Sequence, residues 1–229
     1  MINALIVAAG RGTRMGTDCP KQYLTLGDRP VLSHCLQAFA DHELVDHVYL
    51  VVNRGDFSHC RDKLLPRLKL KAPVSLIEGG AERQVSVCNG LHAISDPASI
   101  VLIHDGVRPF VPQKLITDCI EGARRWKACI PALPATDTLK RVSTRMHIEE
   151  TLERQNIWLA QTPQAFELTL IKHAHEEARR LGWQVTDDAA MVERAGGTVH
   201  VIEGRRENIK ITVPEDMVWA EFWLGLRKP

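Results

Sequence analysis

A short apolar run, Ala4-Leu-Ile-Val-Ala8, breaks at once into Ala9-Gly-Arg-Gly-Thr-Arg-Met-Gly16. A β-branched run that ends in glycines reads as a buried strand feeding a tight loop. Glycine lets the backbone come close to a ligand, and successive N–H groups can point at phosphate oxygens. Arg11, Arg14 and Lys21 place three cations within eleven residues. Free amides and fixed positive charge suit a polyanion such as a nucleoside triphosphate. Two other readings stand beside this one. The stretch can be an ordinary strand-to-helix turn with solvated charges. It can also be a dinucleotide loop, but Gly10-x-Gly12-x-x-x-Gly16 is one residue longer than the G-x-G-x-x-G pattern. The next predicted strand ends in Asn53-Arg54, where a ribose-binding acid would be needed.

The rest of the chain alternates in the same way. Further strands are predicted at 48–52, 74–77, 99–103 and 128–133, the last bent by Pro131. Between and after them, helices are predicted from Pro30, over 56–70, over 83–94, from Pro112, over 167–181 and over 187–195. The first carries Val31, Leu32, Cys35, Leu36 and Phe39 on one face; the helix over 83–94 carries Val85, Val87, Cys88, Leu91 and Ile94. A strand over 198–202 and a helix from Pro214 follow, with Thr212 and Glu215 at capping-box spacing. This alternation predicts an α/β, Rossmann-like fold: a mostly parallel twisted sheet with helices on both faces. Ligands of such sheets sit beyond the carboxyl ends of the strands. The glycine loop, Gly79-Gly80 and Asp105 are therefore expected to converge.

Net charge is +1, which argues against a nucleic-acid partner bound through a basic field. The chain of 229 residues fits one domain, 1–229, and has no apolar run of the roughly 18–20 residues that a membrane span needs. Met1-Ile-Asn-Ala4 lacks the basic start of a secretory signal, and the six cysteines form no C-x-x-C pair. Reduced thiols in a cytoplasmic protein are the expectation. His173 and His175, two apart, read as solvated helix residues; Asp187-Asp188 reads as acids favoured at a helix start, not a metal pair. Residues 135–155 are polar and β-prone in places, with a turn near 143–145. They read as a hairpin arm that packs on another subunit, or as a mobile surface loop.

Four segments now stand together: Ala8 to Gly16 with Pro20-Lys-Gln22; Gly79-Gly-Ala-Glu-Arg-Gln-Val-Ser86; His104-Asp-Gly-Val-Arg-Pro109; and Asn208-Ile-Lys-Ile-Thr212 with Pro214-Glu-Asp216. With Thr136-Asp-Thr-Leu-Lys-Arg141, Arg154 and Gln161-Thr-Pro-Gln164, their order and spacing closely resemble the 2-C-methyl-D-erythritol 4-phosphate cytidylyltransferases of the non-mevalonate isoprenoid pathway. The resemblance implies transfer of CMP from CTP to a methylerythritol phosphate, with Mg²⁺ carried mainly by the triphosphate, in a homodimer joined by the 135–155 arm. It implies that Arg14, Lys21, Lys210 and Arg154 act in catalysis. CTP would be bound by Ala8, Ala9, Gly10, Gly12, Gly80, Ala81, Arg83, Ser86 and Gly106. The acceptor would be held by Asp105, Arg108, Thr138, Lys140, Arg154, Thr162 and Lys210, with Arg154 reaching the partner's substrate. Family members often have Asp where Ala81 stands, and Ala-Ala or Ala-Val in place of Gly106-Val107. Two rivals remain: a ribitol 5-phosphate or other pentitol-phosphate cytidylyltransferase, and a non-catalytic nucleotide-binding protein of the same fold.

Overall fold

The structure, a computed structural model, describes residues 1–10 and 19–226. The first strand, β1 (Ile2–Val7), is buried up to Ile6, is half-buried at Val7 and runs into the loop at Ala8. A small ribbon follows, β2 (Thr25–Leu26) and β3 (Arg29–Pro30), then α1 (Val31–Ala40) and β4 (His47–Val52). The helix expected over 56–70 is not one helix. It is a 3₁₀ turn at Arg54–Asp56, a single α turn α2 (Phe57–His59), a π turn at Cys60–Leu64 and another 3₁₀ turn at Leu65–Arg67. Pro66 supplies no N–H to the carbonyl four residues before it, so a regular α ladder cannot run through.

After β5 (Val74–Glu78) come α3 (Arg83–Ala93), β6 (Ile100–Asp105), α4 (Gln113–Trp126) and β7 (Ala128–Pro134). The segment that leaves the core is a hairpin, β8 (Leu139–Val142) and β9 (Ile148–Leu152), turned by Ser143 and Met146. It is followed by two strands absent from the sequence reading, β10 (Trp158–Ala160) and β11 (Gln164–Glu167). The chain ends in α5 (Leu168–Leu181), α6 (Asp188–Arg194), β12 (His200–Glu203) and α7 (Pro214–Leu226). Gly196, at a φ of 84°, follows the end of α6 in the left-handed region that glycine tolerates.

β1, β4, β5 and β6 pair in parallel, while β11 lies antiparallel to both β6 and β7, and β12 is parallel to β7. β10 and β11 both pair with β7: Ala160 faces Ala132 and Ala165 faces Cys129, so five steps of one chain match three of the other. The bend expected at Pro131 therefore falls on its neighbour, as a bulge at 161–163. The hairpin departs and returns at one place, since Ala135 N–H donates to the Ile157 carbonyl and Trp158 pairs with Pro134.

Alternation along β1 explains why both faces are covered. Ala4 and Ile6 belong to a cluster with Leu36, Phe39, Leu115 and Cys119 of α1 and α4. Leu5 belongs to the opposite cluster with Val87, Leu91 and Ile171 of α3 and α5. A Cβ at Gly90 would stand 2.2 Å from Leu5 Cδ1, so α3 rests almost directly on the sheet. Val85, expected on the buried face, is 44% exposed, and His175, expected in solvent, is buried at 3%. A third cluster joins Leu26, Val31, Phe110, Ile211 and Ala220, fastening α7 and the small ribbon beside the carboxyl ends of the strands.

Candidate active site

The loop after β1 is braced from two sides. Gln22, 1% exposed, donates its amide to the Ala8 carbonyl at 2.8 Å, and Asn53 at the end of β4 donates to the Ala9 carbonyl at 2.7 Å. Gly79 has no room for a side chain, because a Cβ there would lie 2.4 Å from Ala9 Cβ. The turn after β5 is fixed by Ser86, whose hydroxyl accepts from Gly80 N–H at 3.0 Å and donates to the Glu82 carbonyl at 3.0 Å. Gly106 sits behind Ala8, with its N–H on the Val7 carbonyl; a Cβ there would come within 3.0 Å of Ala8 Cβ.

Two compartments open at this edge. The first, about 190 Å³, is lined by Ala8, Ala9 and Gly10, by Lys21, and by Gly80, Ala81 and Ser86. The second, about 240 Å³, is lined by Arg108, Gln161, Thr162, Thr186 and Asp187. Arg83, Asp105 and Lys210 line both and form their common wall. Asp105 is the hub of that wall. Lys210 Nζ lies 2.7 Å from its Oδ2, Arg83 Nε lies 3.2 Å from its Oδ1, and Arg108 Nε approaches to 4.0 Å. Burial pushes the Asp105 carboxyl up, but Arg83, Lys210 and Arg108 together hold it well below the usual carboxylate range. Asp105 is therefore an anion that places cations. Lys21 Nζ donates to the Ile211 carbonyl at 3.0 Å, which sets a further ammonium on the first compartment.

The loop bearing Lys210 is anchored by groups that the sequence reading did not assign. Asn208, fully buried, donates to the Thr162 carbonyl at 2.8 Å, and its own carbonyl accepts from Arg108 Nη1 at 2.7 Å. Ile211 N–H donates to the Val107 carbonyl. The Asp216 carboxylate accepts from the N–H groups of Thr212 and Val213 and from the Thr212 hydroxyl. The reaching acid of this cap is thus Asp216, one residue beyond the expected Glu215, because Pro214 opens α7 and puts the cap at Val213.

Thr162 has an internal task. Its Oγ1 lies 3.1 Å from Asp105 N and 3.1 Å from His104 Nδ1, while His104 Nε2 lies 3.1 Å from the Arg108 carbonyl. Burial lowers the His104 pKa to about 4, so the ring is neutral near pH 7. A carbonyl only accepts, so Nε2 carries the proton, Nδ1 accepts from the Thr162 hydroxyl, and that hydroxyl accepts from Asp105 N–H. Thr162 therefore fixes the Asp105 backbone, and its O–H is not free to donate to a phosphate.

Asp187 and Asp188 differ sharply. Asp187 caps α6 by accepting from Ala190 N–H, as expected of an acid at a helix start. Asp188 turns inward, fully buried, 2.8 Å from Arg83 Nη2 and 3.4 Å from His175 Nε2. Arg83 is thereby tied to both Asp105 and Asp188.

Of the residues expected at the site, Ala8, Ala9, Gly10, Lys21, Gly80, Ala81, Arg83, Ser86, Asp105, Arg108, Thr162 and Lys210 line one compartment or both. Gly12 and Arg14 lie outside the described residues. Thr138, Lys140 and Arg154 line neither compartment of their own chain. They stand on the exposed arm, where Lys140 donates to Thr151 Oγ1 and Arg154 to the Thr136 carbonyl. A polar residue closing an apolar strand, as Asn53 does, was the available signal for the loop brace.

Three comparisons fit this geometry. A family model described as 2-C-methyl-D-erythritol 4-phosphate cytidylyltransferase matches residues 2–226. The protein of that name from Alkaliphilus metalliredigens is 42% identical over 227 residues, 99% of this chain and 94% of its own. The one from Geotalea uraniireducens is 45% identical over 225 residues, covering 97% and 96%. Among solved structures, 4-diphosphocytidyl-2C-methyl-D-erythritol synthase from Anaerococcus prevotii superposes with a TM-score of 0.85 at 34% identity, over 98% of this chain and 96% of that one.

Proposed function

The chain belongs to the 2-C-methyl-D-erythritol 4-phosphate cytidylyltransferase family, and from that premise we propose a division of labour between its two compartments. The reaction is transfer of CMP from CTP to 2-C-methyl-D-erythritol 4-phosphate, a step of non-mevalonate isoprenoid synthesis. A phosphate oxygen of the acceptor attacks the α-phosphorus of CTP. The new P–O bond forms as the bond to the β-phosphate breaks, giving the cytidine diphosphate derivative and pyrophosphate. The reading is carried by the common wall: Arg83, Asp105 and Lys210 face both spaces, so two anions held on either side meet there.

CTP takes the first compartment, with its triphosphate along Ala8 to Gly12 and its base against Gly80, Ala81 and Ser86. The acceptor takes the second, held by Arg108, Lys210 and the ordered Asp105. Its phosphate is already an anion and needs no strong base. The obstacle is repulsion between like charges, and each cation about 4 Å from a phosphate offsets it by about 4 kcal/mol at an effective dielectric constant near 20. Lys21 and Lys210, with Arg14 from the glycine loop, stabilise the charge that builds on the α-phosphate. Lys210 keeps one of its three N–H groups on Asp105 and has two for substrate.

Mg²⁺ fits as a companion of the triphosphate. Among the described residues, no three His, Cys, Asp or Glu side chains come together to hold an ion, and Asp105 is already engaged by cations. The ion would be held by phosphate oxygens and water, and there it would neutralise phosphate charge.

Thr138, Lys140 and Arg154 complete the partner subunit's acceptor compartment. This reading is supported by their exposure on a hairpin that carries uncovered apolar groups: Met146 is 83% exposed and Ile148 64%. Two strands alone are marginal in water, so a second copy is the natural cover. The chain then works as one nucleotidyltransferase domain with a dimerising arm, in the reducing cytoplasm. No helix among the described residues is long and apolar enough to cross a membrane.

Pyrophosphate release from CTP and Mg²⁺, measured beside one another with methylerythritol 4-phosphate and ribitol 5-phosphate, tests the reading. A strong preference for the first is expected. A preference for the second overturns the acceptor assignment, and no release with either overturns the enzyme.

A further inference from the structure

Asp188 is a fully buried carboxylate that touches neither compartment. Burying a charge is costly, and a buried ion pair is no better for stability than a well-packed apolar pair. What Asp188 does have is a place at the head of a row of alternating charges, Asp188, Arg83, Asp105 and Lys210, with the His175 ring against its other oxygen. Burial pushes the Asp188 carboxyl up, but Arg83 and His175 hold it below the usual range, so it is an anion. Its mount is rigid. Gln164 accepts from both Asp188 N–H and Ala189 N–H, and Gln164 in turn donates to Asp187 Oδ2.

We propose that Asp188 is a positioning residue for the transfer reaction, holding Arg83 so that Asp105 keeps Lys210 at the acceptor compartment. With both carboxylates in place, Arg83 is pulled from two sides and Asp105 can give Oδ2 to Lys210. With Asp188 neutralised, Arg83 has Asp105 alone and competes with Lys210 for it. Away from the common wall, the CTP side is held otherwise, through Gln22, Asn53 and Ser86, none of which touches Asp188.

This inference rests on the acceptor reading of the second compartment. The test is Asp188→Asn, with initial rates of pyrophosphate release measured against acceptor at saturating CTP, and against CTP at saturating acceptor. The acceptor kcat/KM should fall about 10- to 100-fold. KM for CTP should stay within about threefold. A KM for CTP raised as much as the acceptor kcat/KM falls, or an unchanged acceptor kcat/KM, overturns the proposal. The double variant Arg83→Met, Asp188→Asn leaves no unpaired buried charge in this pair, so it serves if the single variant folds poorly. Its acceptor kcat/KM should equal that of Arg83→Met alone. A further drop means that Asp188 acts by some other route. A wild-type protein inactive toward methylerythritol phosphate sinks the acceptor reading itself; an active one indifferent to Asp188→Asn sinks this inference alone.

Discussion

The ammonium groups that line the two compartments are held in place by the protein itself. Lys21 is placed by a backbone carbonyl and Lys210 by a carboxylate, so neither ammonium has to be ordered at the moment of reaction. Lys21→Met should lower kcat by about 10²- to 10³-fold, the usual loss when a preorganised charge donor is removed. Steady-state rates decide this: a raised KM for CTP at unchanged kcat would make Lys21 a binding group only. Lys21, Asp105 and Lys210 were legible in the sequence because each belongs to a compact local pattern. Asp188 and His175 were not. An acid at a helix start and a histidine on a charged helix read as solvated, and only the packing of α5 and α6 against α3 turns them inward.

At the level of elements, the parallel core was legible because each of its strands carries a short, mostly apolar run. β10 and β11 were missed because they are three and four residues long and flank a motif, Gln161-Thr-Pro-Gln164, that reads as loop. The broken stretch after β4 was missed because charge and apolar spacing both favour a helix there, and Pro66 overrules them. Closeness between elements leaves little slack. Gly90→Ala would drive a methyl into Leu5 where α3 crosses β1. It should cost about 1–3 kcal/mol, seen as a lower urea midpoint at unchanged slope; an unchanged midpoint would mean that α3 can shift away.

The whole molecule joins titration, assembly and activity. His175 is buried, which lowers its pKa, but Asp188 and Cys88 outweigh this and raise it above the ordinary value of 6.5. The stability that it contributes is full below that ordinary value and is lost as pH rises through the folded-state pKa. The advantage of the wild type over His175→Gln in thermal midpoint should therefore shrink between pH 6 and pH 9; a constant gap would place the histidine's role in packing. Assembly can be examined by mixing. Arg154→Ala and Lys21→Ala should each lose activity, and together they should regain part of it, since a mixed dimer holds one intact composite site. No regain, with subunit exchange demonstrated, would return Arg154 to its own chain.

The hairpin leaves the core at Ala135 and re-enters at Ile157 on the same ladder rung. Residues 136–156 are thus a parenthesis in the chain. They can be lengthened, shortened or replaced by a tight turn without any residue of the central sheet losing its neighbours. A protein with the parenthesis closed would keep the fold's grammar and lose, with Thr138, Lys140 and Arg154, whatever the arm reaches for.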